Sequence, residues 1–354
     1  MKNQARKAVA LFVAFVLLLC AFSLAASAQE PESGTLKVMA YNVSGLPVVG
    51  SAQGSKKTGG SEKAKILGQN LNLLDVDILG VQEDFNYHKH LAAEMTAFPN
   101  QTFTSGGVPL GDGLNIFSKS PIYNVERTTW NRRWGILSGA SDELTKKGFL
   151  HTLVELTEGV YFDLYVLHAD AGRDNGSIAA RTDNYRQLAA DINARPVDRA
   201  VIVMGDFNTA ISRNLPDDIY GNLMQPAGLS DTWVELYNGG NYFYNDGEGW
   251  SPALEESIDK VLYKNGGGVT FTPETLDHFI VTDANGDTYT DHHATVAELS
   301  YTVIDPATTT ETLVPPQPYD RGDMFSRYIK RIFVTLKLIL SDIGNLPSIL
   351  SDLF

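Results

Sequence analysis

Six short segments of this chain place a residue able to do chemistry at the edge of an apolar run, or inside one. The most informative is Val203-Met204-Gly205-Asp206-Phe207-Asn208. A continuous apolar run from Ala200 to Met204 reads as a strand buried on both faces. It ends in a glycine, then offers a carboxylate and a carboxamide two residues apart. In extended chain, positions i and i+2 face the same side, so Asp206 and Asn208 can address one substrate group. The other segments repeat the theme. Ala40-Tyr41-Asn42 ends a strand in a carboxamide, Val81-Gln82-Glu83-Asp84 in a carboxylate, and Leu167-His168-Ala169-Asp170 in a histidine and an aspartate. Asp259 lies between apolar neighbours in Ser257 to Leu262, a costly position unless the carboxylate is paired or metal-bound. Asp291-His292-His293 precedes a last apolar run, Ala294 to Leu299. Singly, each has an ordinary structural reading: a turn asparagine, a surface glutamate, a satisfied core histidine. Together they form an oxygen-rich set suited to a hard cation and to phosphate chemistry. Zinc would favour Cys and His at short spacing.

The elements that must position these residues alternate along the chain. Leu36–Tyr41, Asp77–Gln82, Asn115–Ser118, Leu150–Leu156 and Tyr161–His168 read as strands. Ser61 to Leu74 reads as a helix with Ser61 as N-cap and Ile66, Leu67, Leu71 and Leu74 on one face. Residues 176–194 read as a second helix. Strands outnumber helices, so the expected fold class is α/β: two packed sheets, helices outside, and a site at the strand ends.

The termini differ from this core. Lys2, Arg6 and Lys7, then an apolar run from Val9 to Leu24, then Ala26-Ser27-Ala28, have the order of a secretory signal peptide over residues 1–28. An uncleaved membrane helix is the alternative, for which the run is short. Of 354 residues, 28 are basic and 42 acidic, a net charge of −14. Cleavage after Ala28 removes three basic residues and no acidic one, leaving 25 basic groups and a charge of −17. It also removes Cys20, the one cysteine, so the exported chain would have no disulfides. This acidity speaks against a generally basic nucleic-acid binder, although a metal ion could supply local positive charge. Residues 301–320, rich in Pro and Thr, read as a linker. Residues 321–354 read as an amphipathic helical tail, with Arg327, Lys330, Arg331 and Lys337 on its basic face.

The order Asn42, Gln82-Glu83, His168, Gly205-Asp206-Phe207-Asn208, Ile258-Asp259 and Asp291-His292 resembles the endonuclease/exonuclease/phosphatase superfamily over roughly residues 35–300. Within it, Gly113 to Ile122, Lys147-Gly148-Phe149, and the helix with Ala180-Arg181, Asn184 and Gln187-Leu188 are similar to neutral sphingomyelinases. The Trp-Thr-Asp-Arg motif of inositol 5-phosphatases is absent. The last motif departs from the usual Ser-Asp-His-x-Pro, reading Thr290-Asp291-His292-His293-Ala294.

The resemblance implies a four-layer α/β sandwich of two mixed sheets flanked by helices. It further implies a phosphodiesterase using Mg²⁺, with Mn²⁺ or Ca²⁺ as substitutes. Glu83, helped by Asn42, would hold the ion. His292, oriented by Asp291, would take the proton of a water positioned by Asp206. Asn208 and His168 would bind the non-bridging oxygens. Asp259 would either orient His168 or bind metal. The basic apolar tail fits either a membrane surface outside the cell or a face packed back on the core; if it lies on a membrane, the expected substrate is a phospholipid head group. A secreted deoxyribonuclease-like enzyme acting on nucleic acid is the alternative, and an inactive surface-binding module the least favoured reading.

Overall fold

The architecture follows from strands that need both faces covered. In the computed structural model, β1 (Glu32–Asn42), β2 (Ile78–Gln82), β4 (Asn115–Ser118), β7 (Val160–His168) and β8 (Val201–Asp206) carry almost unbroken buried runs toward their site ends. The described residues are 31–46, 60–108, 110–135, 142–211, 218–242, 252–282, 286, 288–307, 309, 311–318, 329–330 and 332–334. The chain divides into a unit Met1–Glu32 and a unit from Ser33 onward, and the fold described here is the second. The proposed signal segment, 1–28, lies outside the described residues, as does most of the helical tail.

The remaining strands are β3 (Asn100–Gln101), β5 (Ile122–Thr129), β6 (Gly148–Thr157), β9 (Ser230–Asp231), β10 (Asp259–Lys264), β11 (Val269–Phe279) and β12 (Ala294–Val303). One six-stranded sheet runs β11-β12-β1-β2-β4-β3, the other β5-β6-β7-β8-β10-β9. Both are mixed: β1 and β2 are parallel, as are β7 and β8, while β2–β4, β3–β4 and β11–β12 in the first sheet and β5–β6, β6–β7, β8–β10 and β9–β10 in the second run antiparallel. Between the sheets, Val38, Ala40 and Ile116 pack with Leu164, Val166, Ile202, Met204 and Val261. On the outer face of the first sheet lies α1 (Gly60–Leu71), whose Leu67 and Leu71 join Met39, Tyr41 and Leu79. A short α2 (His88–Ala92) adds Leu91. On the second sheet, α3 (Asn175–Asn193) lays Tyr185, Leu188 and Ile192 on Tyr165 and Val203. Its N-cap is Asp174, which accepts from the backbone N–H groups of Gly176 and Ser177. A short α4 (Thr232–Tyr237) follows β9. The expected four-layer sandwich is therefore the observed one.

Three differences have plain physical causes. α1 starts at Gly60, so Ser61 lies inside its first turn and not at the cap, and it ends at Leu71. β5 and β11 are strands without an apolar run, because each is half exposed and polar residues line its open face. The segment read as a linker is fastened to the core over its described part. Residues 301–303 complete β12. Ala307 donates to the Gly267 carbonyl at 2.9 Å. Arg199, itself buried, donates to Thr309 Oγ1 at 3.0 Å and Glu311 Oε1 at 3.1 Å. Asn124 N donates to the Val314 carbonyl, and Val314 N to Asn124 Oδ1, both at 2.8 Å.

Gly205 shows why the site motif needs its glycine. Its φ is +143°, and a Cβ there would sit 2.1 Å from the Leu167 carbonyl oxygen on the neighbouring parallel strand. No small shift relieves a clash with backbone in a paired sheet. Gly205→Ala should therefore cost about 3 kcal/mol or more. Urea melts followed by circular dichroism test this, and an unchanged midpoint would refute it.

Candidate active site

The site forms where the strands of both sheets end. In the second sheet, His168 faces Asp206 across the parallel β7–β8 pair, and Asp259 faces Asp206 across the antiparallel β8–β10 pair. Three titratable residues thus occupy one row across adjacent strands. The first sheet contributes Asn42 from the end of β1 and Glu83 from the turn after β2. His292 comes from the turn before β12. Thr290 fixes that turn: its hydroxyl donates to the Asn42 carbonyl at 2.7 Å and accepts from His292 N at 3.2 Å.

Asn42 is the meeting point of the two sheets. Its Nδ2 donates to Asp206 Oδ2 at 3.2 Å and to Glu83 Oε1 at 3.4 Å, and lies 3.4 Å from His292 Nε2. Its Oδ1 accepts from Ser44 N at 3.0 Å. Asp206 Oδ2 also meets His168 Nε2 at 3.3 Å and lies 3.7 Å from His292 Nε2, while Oδ1 accepts from Asn208 N at 2.9 Å. Burial opposes a charge on Asp206, but His168 and His292 outweigh it and hold the carboxyl below the usual carboxylate range. Burial likewise opposes the imidazolium of His292. The hydrogen bond to Asp259 and the charge of Asp206 win, pushing this histidine up to about 10.

The carboxylate that orients His292 is Asp259, whose Oδ2 lies 2.7 Å from Nδ1. This corrects the expectation for Asp291 and, of the two alternatives for Asp259, leaves the metal-binding one. Asp291 is exposed and adds only its charge to the field at the ring. Asp259 does not serve His168. The cause is geometry: the turn before β12 brings the His292 ring to Asp259 at the start of β10, while Asp291 in the same turn faces solvent. Asp259 is in turn fixed by Thr295, which donates to its carbonyl at 2.9 Å. His168 turns Nε2 to Asp206, and its Nδ1 is buried without a hydrogen-bond partner. Asn208, in the left-handed region at φ +55°, donates Nδ2 to the Ala169 carbonyl at 3.1 Å.

The donor set fits a hard cation. Glu83 is held in the left-handed region at φ +58°, a conformation that a glutamate adopts only when its surroundings impose it. Its carboxylate is half-buried beside Asn42. Ligand-capable atoms of Asp206, Asp259 and His292 also lie within 4.8 Å of one another, close enough to share an ion. Two of these three side chains are carboxylates, and Glu83 adds another, the kind of oxygen donor that Mg²⁺ favours.

Two lysines near these carboxylates were not singled out as site residues from the sequence. Lys147 is buried against Asp142 at 2.6 Å. Burial works against its charge, but Asp142, Asp206 and Glu83 keep its pKa raised. Lys63, on α1, donates to the Ser44 carbonyl at 3.1 Å and lies in the field of Asp291 and Glu83. Buried and surface lysines look alike in a sequence; Lys147 is marked only by its place in the Lys147-Gly148-Phe149 resemblance, and nothing marks Lys63.

Sheet pair, strand-end cluster and motif order define a class, and the chain belongs to the endonuclease/exonuclease/phosphatase family, whose model matches residues 39–307. It is 31% identical over 290 residues to a sphingomyelinase of Mycobacterium bovis, a match covering 76% of this chain and 53% of that protein. The chain thus spans about half the length of the curated relatives it matches. Among solved structures it is similar in fold to a humanized D. rerio TDP2, with TM-score 0.54 and 18% identity over 75% of this chain and 98% of that one. It is also similar to a beta toxin mutant from Staphylococcus aureus with bound magnesium ions, with TM-score 0.51 and 18% identity over 75% and 99%.

Asp170, two residues beyond His168, gives the region a pH signature. Burial, then the neighbouring charge of Asp142, pushes its carboxyl up to about 8 from an ordinary value of 3.8. Between those values the folded chain holds a proton that the unfolded chain has released. Stability from this group therefore falls as pH rises through that window. Asp170→Asn should flatten the fall, and melting temperatures from pH 4 to pH 9 measure it. Parallel curves for the two proteins would overturn the assignment.

Proposed function

We propose that this chain is an exported, divalent-metal-dependent phosphodiesterase that hydrolyses a phospholipid head group in the manner of a sphingomyelinase. The observation that carries the reading is the Asp259–His292–Asp206 arrangement. His292 commits Nδ1 to Asp259 and turns Nε2 to the side where Asp206 and Asn42 converge; the neighbouring carboxylates favour its imidazolium, and a cation held among them would offset that charge and free Nε2 to accept a proton. The similarity to the mycobacterial sphingomyelinase supports the choice of substrate class.

The residues divide the work as follows. Asp206, kept ionised by its two histidines, holds the attacking water. Nε2 of His292 takes that water's proton as its oxygen attacks phosphorus in line with the departing alcohol oxygen. Asp259 stabilises the imidazolium that results. Lys147 and the Asn42 amide add positive potential near the phosphate. Glu83, with Asn42 beside it, would hold Mg²⁺, which supplies charge neutralisation at a phosphate oxygen when bound. The basic, apolar segment 321–354 would lie on the membrane surface and bring the site to its lipid. The segment 1–28 would be removed on export.

Parallel assays with Mg²⁺ on sphingomyelin vesicles, phosphatidylcholine vesicles, plasmid DNA and an inositol phosphate test the substrate. Sphingomyelin should be cleaved and EDTA should stop the reaction; cleavage of DNA alone would replace this reading by a nuclease. His292→Ala and Asp206→Ala should each lower kcat by about 10²–10⁴-fold in folded protein. Asp259→Asn should cost more than Asp291→Asn, and the reverse order would return the orienting role to Asp291. Flotation with anionic vesicles should require residues 321–354, and equal flotation without them would remove the tail from the account.

A further inference from the structure

Glu83 stands in a strained backbone conformation, and something must hold it there. On its N-terminal side the anchor is β2, whose last residue, Gln82, accepts from Val43 N at 2.9 Å. On its C-terminal side the anchor is Asp84, which is buried. Asp84 N donates to the Gly113 carbonyl at 2.9 Å. Its carboxylate takes two further contacts on one oxygen: His88 Nδ1 at 2.6 Å and Asn115 Nδ2 at 2.9 Å.

Asn115 can offer its NH₂ to Asp84 only if its oxygen points the other way. Two donors hold the oxygen there, Thr102 Oγ1 at 3.2 Å and Arg127 Nη2 at 3.0 Å. A guanidinium has donors only, so it fixes which end of the amide faces it. Arg127 belongs to β5, in the second sheet, whereas Asn115 belongs to β4, in the first. The guanidinium crosses between the sheets in a largely buried ion pair with Asp112 at 2.7 Å, and also donates to the carbonyls of Leu114 at 2.6 Å and Phe103 at 2.9 Å. Such a charge is expensive to bury, and a hydrophobic tie between the sheets would cost less. What the guanidinium adds is direction.

We infer that Arg127 is a positioning residue for Glu83, acting through the Asn115 amide and the Asp84 carboxylate to hold the Glu83 side chain at the place of a divalent cation. The inference rests on the reading of Glu83 as a cation ligand. It extends that reading to a remote residue in the other sheet. The expected signature is a loss of cation affinity that excess cation repairs, since the reacting groups themselves are untouched.

The experiment is calorimetric titration of the metal-free full chain with Mg²⁺, alongside phosphodiesterase assays over a range of Mg²⁺ concentrations. Asn115→Ala should raise the Mg²⁺ Kd about tenfold or more. Its kcat at saturating Mg²⁺ should stay within about threefold of wild type. Arg127→Lys keeps a positive charge beside Asp112 but cannot serve Asp112, Leu114, Phe103 and Asn115 at once, and it should show a shift in the same direction. Ser105→Ala touches Asp112 but not Asn115, and it should bind Mg²⁺ as wild type does. A folded Asn115→Ala protein with unchanged Kd overturns the inference; if that variant does not fold, an unchanged Kd in Arg127→Lys does so. Glu83→Gln separates the two levels. If it leaves Mg²⁺ binding intact, the reading of Glu83 as a ligand fails, whatever Arg127 does.

Discussion

The site depends on strand register. Residues paired across adjacent strands stand about 4.7–4.9 Å apart in the hydrogen-bonding direction, and β7, β8 and β10 pair so that His168, Asp206 and Asp259 fall in one row. A slip of one residue in either pairing would turn a member of the row to the opposite face. The hydrophobic layer prevents such slips. Leu164, Val166, Ile202, Met204 and Val261 must all point between the sheets, and that requirement fixes the row above them. Core packing and catalytic geometry are thus set by the same constraint.

Two neighbouring carboxylates in that row would repel each other if left alone. The imidazoles of His168 and His292 stand beside them, and Asn42 brings a neutral donor from the other sheet. The site is therefore balanced by groups drawn from both halves of the sandwich. Its geometry depends on how the two sheets are held together as much as on either alone. The bridge from Arg127 to Asn115 and the bond from Thr290 to Asn42 belong to the same class of tie.

Much of this was legible in the sequence, for reasons that can be named. Asp206 and Asn208 follow a run with no polar residue, and the glycine before them marks a backbone that no side chain can enter. Asn42, Glu83 and His168 each end a strand whose apolar pattern is plain. The partner of His292 was not legible. Asp291 adjoins it in sequence, whereas Asp259 reaches it only because β10 pairs with β8 and the turn before β12 folds over that pair. Arg127 was hidden for a related reason. It sits in β5, whose exposed face gives no strand pattern, and its function lies in another sheet.

The fastened segment beyond β12 has a consequence for the molecule's behaviour among other molecules. β5 is the outermost strand of its sheet, and such an edge carries backbone donors and acceptors that a second chain could join. Arg199, just before β8, grips Thr309 and Glu311, and the exchange between Asn124 and Val314 then brings the Pro- and Thr-rich stretch to that edge at Asn124. A Pro-rich stretch is a poor template for further pairing, because proline has no N–H to give. The stretch that looks in sequence like a spacer thus occupies the edge at Asn124, a place that a second chain joining this strand would need.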